Sequence, residues 1–101
     1  MERKSYLNDA VELLQQLIAT PRVSRYEAQA ASLLFDRMAA WGLNPQREAN
    51  NIWSVPTDMD PQRPTLLLNA HIDTVKAVST WTRDPHCPLL VGDRLYGLGA
   101  N

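Results

Sequence analysis

The stretch Leu66-Leu67-Leu68-Asn69-Ala70-His71-Ile72-Asp73-Thr74-Val75 decides the fold class predicted for this chain. Its first residues form a short aliphatic run after Pro64, which predicts a buried strand over residues 65–68 rather than a helix. His71 and Asp73 follow just beyond the carboxyl end of that strand, at the edge where open α/β sheets bind their ligands. Because residues two apart in an extended chain point to the same side, we expect both side chains to enter one site.

A metal site is the leading interpretation of the His71–Asp73 pair. Imidazole is a good zinc ligand, and a nearby carboxylate can fix its tautomer or orient a metal-bound water. Taken alone, a His at a strand end is more often structural, and one His with one Asp does not hold a metal. The pair therefore needs support from the rest of the chain.

Composition excludes several other classes of function. Ten Lys and Arg residues against 11 Asp and Glu residues give a net charge of -1, which offers nucleic acid or an anionic membrane no basic surface. No segment approaches transmembrane length, and the first residues are expected to lead into an amphipathic segment rather than a signal peptide. Cys87 is the only cysteine, so an internal disulfide is excluded and a reducing, cytoplasmic setting is expected. A chain of 101 residues allows one small domain or a part of a larger one.

Hydrophobic spacing predicts two helices in the first half of the chain. The first is expected over residues 5–19 and ends at Thr20-Pro21, because a residue before proline disfavours the helical region. The second is expected to begin at Ser24, where Ser24 and Glu27 match a capping box, and to end at Gly42.

Strands are predicted after the second helix. Residues 43–48 and 51–55 are expected to be two strands joined at Ala49-Asn50, and residues 89–91 and 94–96 are expected to form a hairpin around Gly92-Asp93. The order of helices followed by strands predicts the start of an α/β domain.

Four motifs along the chain resemble, in the same order, the zinc-dependent acetylornithine deacetylase, succinyl-diaminopimelate desuccinylase and glutamate carboxypeptidase family. Residues 17–24 are similar to its first helix and Thr-Pro-x-Val-Ser turn, and residues 69–75 to its first metal-binding motif. Trp81 with Asp84-Pro85 resembles its Trp-x-x-Asp-Pro segment. Residues 95–101, ending at Asn101, resemble its second motif, although Leu98 stands where Arg is usual.

The resemblance implies a fold and a metal chemistry. Residues 1–101 would be the amino-terminal part of a three-layer α/β/α zinc-hydrolase catalytic domain that contains a mixed sheet. Two zinc ions, with cobalt or manganese as alternatives, would be used. His71 would be a metal ligand, and Asp73 would be the acidic residue that hydrogen-bonds this His and assists catalysis. The rest of the site is expected beyond Asn101: the Asp that bridges the two metals, the Glu-Glu pair that supplies the general base and a ligand, and the later ligands. A lid-like second domain, through which the protein would form a homodimer, is expected there as well.

The same resemblance implies the substrate class. The motif spellings favour an acetylornithine deacetylase-like enzyme of arginine biosynthesis that deacylates N-acyl amino acids. A desuccinylase, a dipeptidase or a carboxypeptidase of the same family is the alternative. A second alternative is a non-catalytic scaffold or interaction fragment, because the 101-residue chain alone is expected to be inactive.

Two further groups of residues have structural interpretations. His86 and Cys87 lie between prolines and lack the spacing of a metal motif, so we expect them in a structural or substrate-rim loop. Gly97 and Gly99 lack the third glycine or the lysine of a phosphate loop, and instead predict a tight backbone path beneath the metal site.

Overall fold

The computed structural model describes the backbone of residues 3–100 and the side chains of residues 5–100. Two helices precede four short strands, in the order α1 (Arg3–Ala19), α2 (Ala28–Ala40), β1 (Gln46–Glu48), β2 (Asn51–Trp53), β3 (Leu89–Val91) and β4 (Arg94–Tyr96). The presence of both helices and strands confirms the mixed α/β class. The strands form two separate antiparallel pairs, β1–β2 and β3–β4, so the three-layer arrangement with a mixed sheet stays a prediction.

Helix α1 confirms the first predicted helix and its end. The hydroxyl of Thr20 donates to the Gln16 carbonyl over 2.8 Å, and the Thr20 N–H donates to the Leu17 carbonyl over 3.1 Å. These two bonds satisfy carbonyl groups of the last turn, which otherwise lack helical partners. Pro21 then prevents continuation of the helix.

Helix α2 begins four residues later than predicted, so the capping-box prediction at Ser24 was wrong. The Ser24 N–H donates to the Thr74 carbonyl over 3.2 Å, and Arg25 adopts a positive φ of 75°. Glu27 is the N-cap residue, without a side-chain capping bond. A long-range backbone contact has therefore replaced the local cap.

The end of α2 was predicted correctly. Gly42 has a φ of 75°, and its N–H donates to the Ala39 carbonyl over 3.0 Å. Glycine takes this left-handed conformation without a Cβ clash, which explains why the helix stops there.

Both predicted hairpins are present, and β1 and β2 are shorter than predicted. Gln46 pairs with Trp53 around the Ala49-Asn50 turn, and Leu89 pairs with Tyr96 around Gly92. Arg47 attaches the first hairpin to α2, because its guanidinium donates to the hydroxyl of Ser32 over 2.8 Å.

The run of leucines at residues 66–68 does not form the predicted buried strand. Leu66, Leu67 and Leu68 are 83%, 80% and 86% exposed, and no strand of residues 3–100 pairs with them. A strand is stable only when a neighbour accepts and donates its backbone hydrogen bonds. The apolar run is present as identified, but no neighbouring strand pairs with it in the described part of the chain.

The buried core is small and lies near the end of α1. Ile18, Ala30 and Ala31 are fully buried, and Leu98 is nearly so. Within residues 3–100, no helix has both the length and the apolar character needed to cross a bilayer.

Candidate metal centre

His71 and Asp73 are in direct contact, as the sequence predicted. The Nδ1 atom of His71 lies 2.9 Å from the Asp73 carbonyl oxygen and 3.0 Å from Asp73 Oδ1. Since both neighbours are acceptors, the proton belongs on Nδ1, which leaves the lone pair on Nε2. The His71 side chain is 85% exposed, so Nε2 is open to a ligand. Histidines that bind metal ions in proteins are commonly oriented by a carboxylate in the same way.

A backbone contact with the turn after α1 fixes the residue that follows Asp73. The Thr74 N–H donates to the Arg22 carbonyl over 2.8 Å, and Val23 and Thr74 form a parallel bridge. Two of the motifs that were recognised separately in the sequence are therefore joined in space. Sequence reasoning missed this pairing, although Val23 and Thr74 are both β-branched residues, which favour extended backbone.

The glycines of the second motif form the tight backbone path that was predicted. A Cβ on Gly97 would lie 2.4 Å from Ile18 Cγ2, and one on Gly99 would lie 2.5 Å from Arg22 Nη2. Gly99 also has a φ of 82° and lies in the wall of a cavity shared with His71 and Asp73. Asn101, the last residue of this motif, lies outside the described residues.

The His71–Asp73 pair lies between two cavities of the size that small ligands occupy. One has a volume of about 470 Å³, and its polar lining includes Glu27, Asn50, Asn51 and Asn69. The other has a volume of about 450 Å³, and its lining includes Arg22, Thr74, Leu98 and Gly99. A small molecule in either cavity would contact His71.

Comparison with known proteins finds relatives that are named succinyl-diaminopimelate desuccinylase. The chain is 30% identical over 106 residues to a succinyl-diaminopimelate desuccinylase of Variovorax paradoxus (strain S110). The aligned region covers 93% of this chain and 27% of that relative. A desuccinylase of Methylibium petroleiphilum is 31% identical over 101 residues, covering 90% of this chain and 26% of the relative. These matches confirm the resemblance to the acetylornithine deacetylase and succinyl-diaminopimelate desuccinylase family that the motifs indicated.

The similarity to this family has a defined extent. A third desuccinylase, from Nitrosospira multiformis, is 29% identical over 100 residues and is matched over 26% of its length. The chain therefore spans about a quarter of the length of the curated relatives it matches. No family model matches the chain.

The described residues fit one part of the zinc site that the resemblance implies. His71 offers a free Nε2 whose ring is oriented by Asp73, which suits a single zinc ligand. Among the side chains of residues 5–100, no group of three or more His, Cys, Asp or Glu residues comes together. His86 and Cys87 do not join the site, because their backbone N–H groups are held in a separate turn by Asp84.

Proposed function

We propose that this chain is part of the catalytic domain of a metal-dependent hydrolase that cleaves the amide bond of N-acyl amino acids. The observation that supports this most directly is the hydrogen bond between His71 Nδ1 and Asp73 Oδ1. It leaves Nε2 exposed between two cavities, in a chain whose relatives are named desuccinylases. The remaining ligands and the general base would come from the part of the relatives' length that this chain does not span.

In this proposal His71 and Asp73 have separate roles. His71 Nε2 would hold one of two zinc ions, with cobalt or manganese as alternatives. Asp73 accepts a hydrogen bond from the Nδ1–H group of His71. This bond keeps the ring in the tautomer that binds metal and raises the basicity of Nε2. When bound, zinc polarises the scissile carbonyl and lowers the pKa of a coordinated water.

The acyl group is the finer part of the proposal. The motif spellings favour acetyl, as in N-acetylornithine, whereas the names of the relatives favour succinyl on diaminopimelate. The two cavities, of about 470 and 450 Å³, are large enough for either substrate.

Hydrolysis by the full-length protein that contains this sequence tests the proposal. We expect zinc-loaded protein to release acetate from N-acetylornithine or succinate from N-succinyl-diaminopimelate, and a His71→Ala variant to release neither. A simple dipeptide is included as the third substrate. Turnover of none of them with zinc, cobalt or manganese would contradict the proposal.

The 101 residues by themselves are proposed to be catalytically inactive. Structural zinc sites use four protein ligands and catalytic sites use three, whereas the described residues supply one oriented His. Calorimetric titration of the chain with zinc should show no stoichiometric, tight uptake. Tight binding would contradict this and would imply a complete site within these residues.

A further inference from the structure

Arg22 is a buried cation without a counter-charge among the described residues. It is 6% exposed, although arginine is rarely buried unless it is paired. Its Nη1 donates to the Leu17 carbonyl, while its Nε is buried with no described partner. None of the ion pairs within residues 5–100 includes Arg22. Burial lowers the pKa of Arg22, since removal from water disfavours the charged form.

Leaving such a charge unpaired destabilises the folded chain. A buried ion whose partner is missing is strongly unfavourable, because the lost hydration is not replaced by an opposite charge. A buried guanidinium is therefore expected to have an anionic partner in the working protein. The oxygens of a carboxylate or a phosphate match the guanidinium fork, and an N-acyl amino acid carries a carboxylate.

The surroundings of Arg22 indicate where that partner binds. Arg22 lines the cavity of about 450 Å³ that also contains His71, Asp73 and Gly99. Thr74 lies in the same wall, and its Oγ1 is also buried without a described partner. The Thr74 N–H donates to the Arg22 carbonyl over 2.8 Å, so the two residues are fixed relative to each other.

Gly99 leaves room for the guanidinium at this wall. A Cβ at residue 99 would lie 2.5 Å from Arg22 Nη2 and 2.9 Å from Thr74 Cγ2, so any larger residue would displace one or the other. Asp73 also lines the cavity, but its carboxylate accepts from His71 Nδ1 over 3.0 Å rather than from Arg22.

We propose that Arg22 and Thr74 form a carboxylate subsite beside His71. The identity of its ligand, the carboxylate of an N-acyl amino acid, rests on the proposed function, whereas the subsite itself rests on the unpaired polar groups. Arg22 would bind the carboxylate and Thr74 would add a hydroxyl donor, which would place the acyl amide of the same molecule near His71. Arg22 is then a specificity residue that selects substrates with a free carboxylate.

A ligand titration of the unmodified full-length protein tests the subsite without any activity measurement. The Nε–Hε resonance of Arg22 is followed by ¹⁵N–¹H NMR while sodium propionate is added, with propionamide and sodium chloride as matched additions. We expect a saturable shift of Arg22 with propionate alone, and no such shift at the exposed neighbour Arg25.

Two results would overturn the subsite. An equal response to chloride would show a general anion effect, and an Arg22 resonance unchanged by propionate would show that no added carboxylate binds there. Neither result depends on a variant that must fold.

Kinetics then separate the subsite from the hydrolase proposal. Arg22→Gln should raise the KM for N-acetylornithine by about ten- to a hundredfold, the range expected for one charge-assisted hydrogen-bonding group, with a much smaller change in kcat. The carboxamide analogue of the substrate should respond little, and Arg25→Gln should have no effect on either. Equal losses with the acid and the carboxamide would contradict the subsite.

The two proposals fail in different ways. A protein that shows the propionate shift but hydrolyses no N-acyl amino acid would refute the proposed activity alone. A protein that hydrolyses these substrates but shows no shift at Arg22 would refute the subsite alone.

Discussion

The backbone N–H of Thr74 donates to the carbonyl oxygen of Arg22 over 2.8 Å. This bond joins the turn that ends α1 to the residue directly after Asp73. The orientation of the Asp73 carboxylate, and through it that of the His71 ring, therefore depends on a segment about fifty residues earlier in the chain, a separation at which loop closure is entropically costly.

The first prediction concerns the His71–Asp73 hydrogen bond. In the full-length protein, His71→Ala should abolish hydrolysis and remove one metal ion. Asp73→Ala should lower metal affinity by about 10- to 100-fold, because the imidazole loses the acceptor that orients it. Metal content and kcat are the measurements. His86→Ala is the matched control, and an effect on it as large as that of His71→Ala would contradict the assignment.

The second prediction compares two glycines with positive φ. Gly99→Ala should destabilise the chain by about 2–4 kcal/mol, because it combines left-handed strain with a Cβ 2.5 Å from Arg22 Nη2. Gly92 also has a positive φ, of 60°, but nothing lies within 4 Å of its Cβ position, so Gly92→Ala should cost only about 1 kcal/mol. Urea unfolding measures both, and equal losses would show that Arg22 moves aside freely.

The third prediction concerns the stability of Arg22→Met. Because burial lowers the pKa of Arg22, the charged form is disfavoured in the folded state at every pH below that pKa. Replacing the guanidinium with an apolar chain of similar length should therefore leave stability unchanged or raise it by about 1–4 kcal/mol. The Leu17 carbonyl keeps its bond from the Thr20 N–H. Thermal unfolding is the measurement, with the exposed Arg94→Met as control, and a clear loss of stability would show that Arg22 is already paired.

The fourth prediction concerns the exposed leucines. Leu66, Leu67 and Leu68 are each at least 80% exposed, and a contiguous apolar patch promotes association. Replacing all three with Ser should reduce self-association of the 101-residue chain in sedimentation velocity without lowering its unfolding midpoint. The buried Ile18→Ser is the contrasting variant and should unfold the chain. Unchanged self-association of the triple variant would show that the chains associate through a different surface.

The elements that the sequence predicted well are stabilised by nearby residues. Helix α1, the Gly42 stop and the Gly92 turn depend on apolar spacing or on one glycine, which are visible within a short window. Ser24 was misassigned because its N–H bonds to Thr74, a residue that no local window includes. The leucines of residues 66–68 were misassigned because a strand depends on a neighbour, which the described residues do not supply.

The candidate site also contains residues that the sequence could predict and one that it could not. His71 and Asp73 could be paired from the sequence because they are two residues apart and both lie in a recognisable motif. Arg22 could not be identified, because an arginine beside a proline is ordinarily at the surface. Its burial follows from Gly99 and Thr74, which approach it only after the chain has folded.

The Val23–Thr74 bridge also sets the order in which the molecule forms. Hairpins close within about 1–10 μs because their ends are adjacent, whereas joining residues about fifty apart must first overcome a larger loss of chain entropy. The two hairpins and α1 are therefore expected to appear early, and the contact that positions Asp73 late. A nascent chain would thus acquire most of its secondary structure before it acquired the geometry needed to hold a metal.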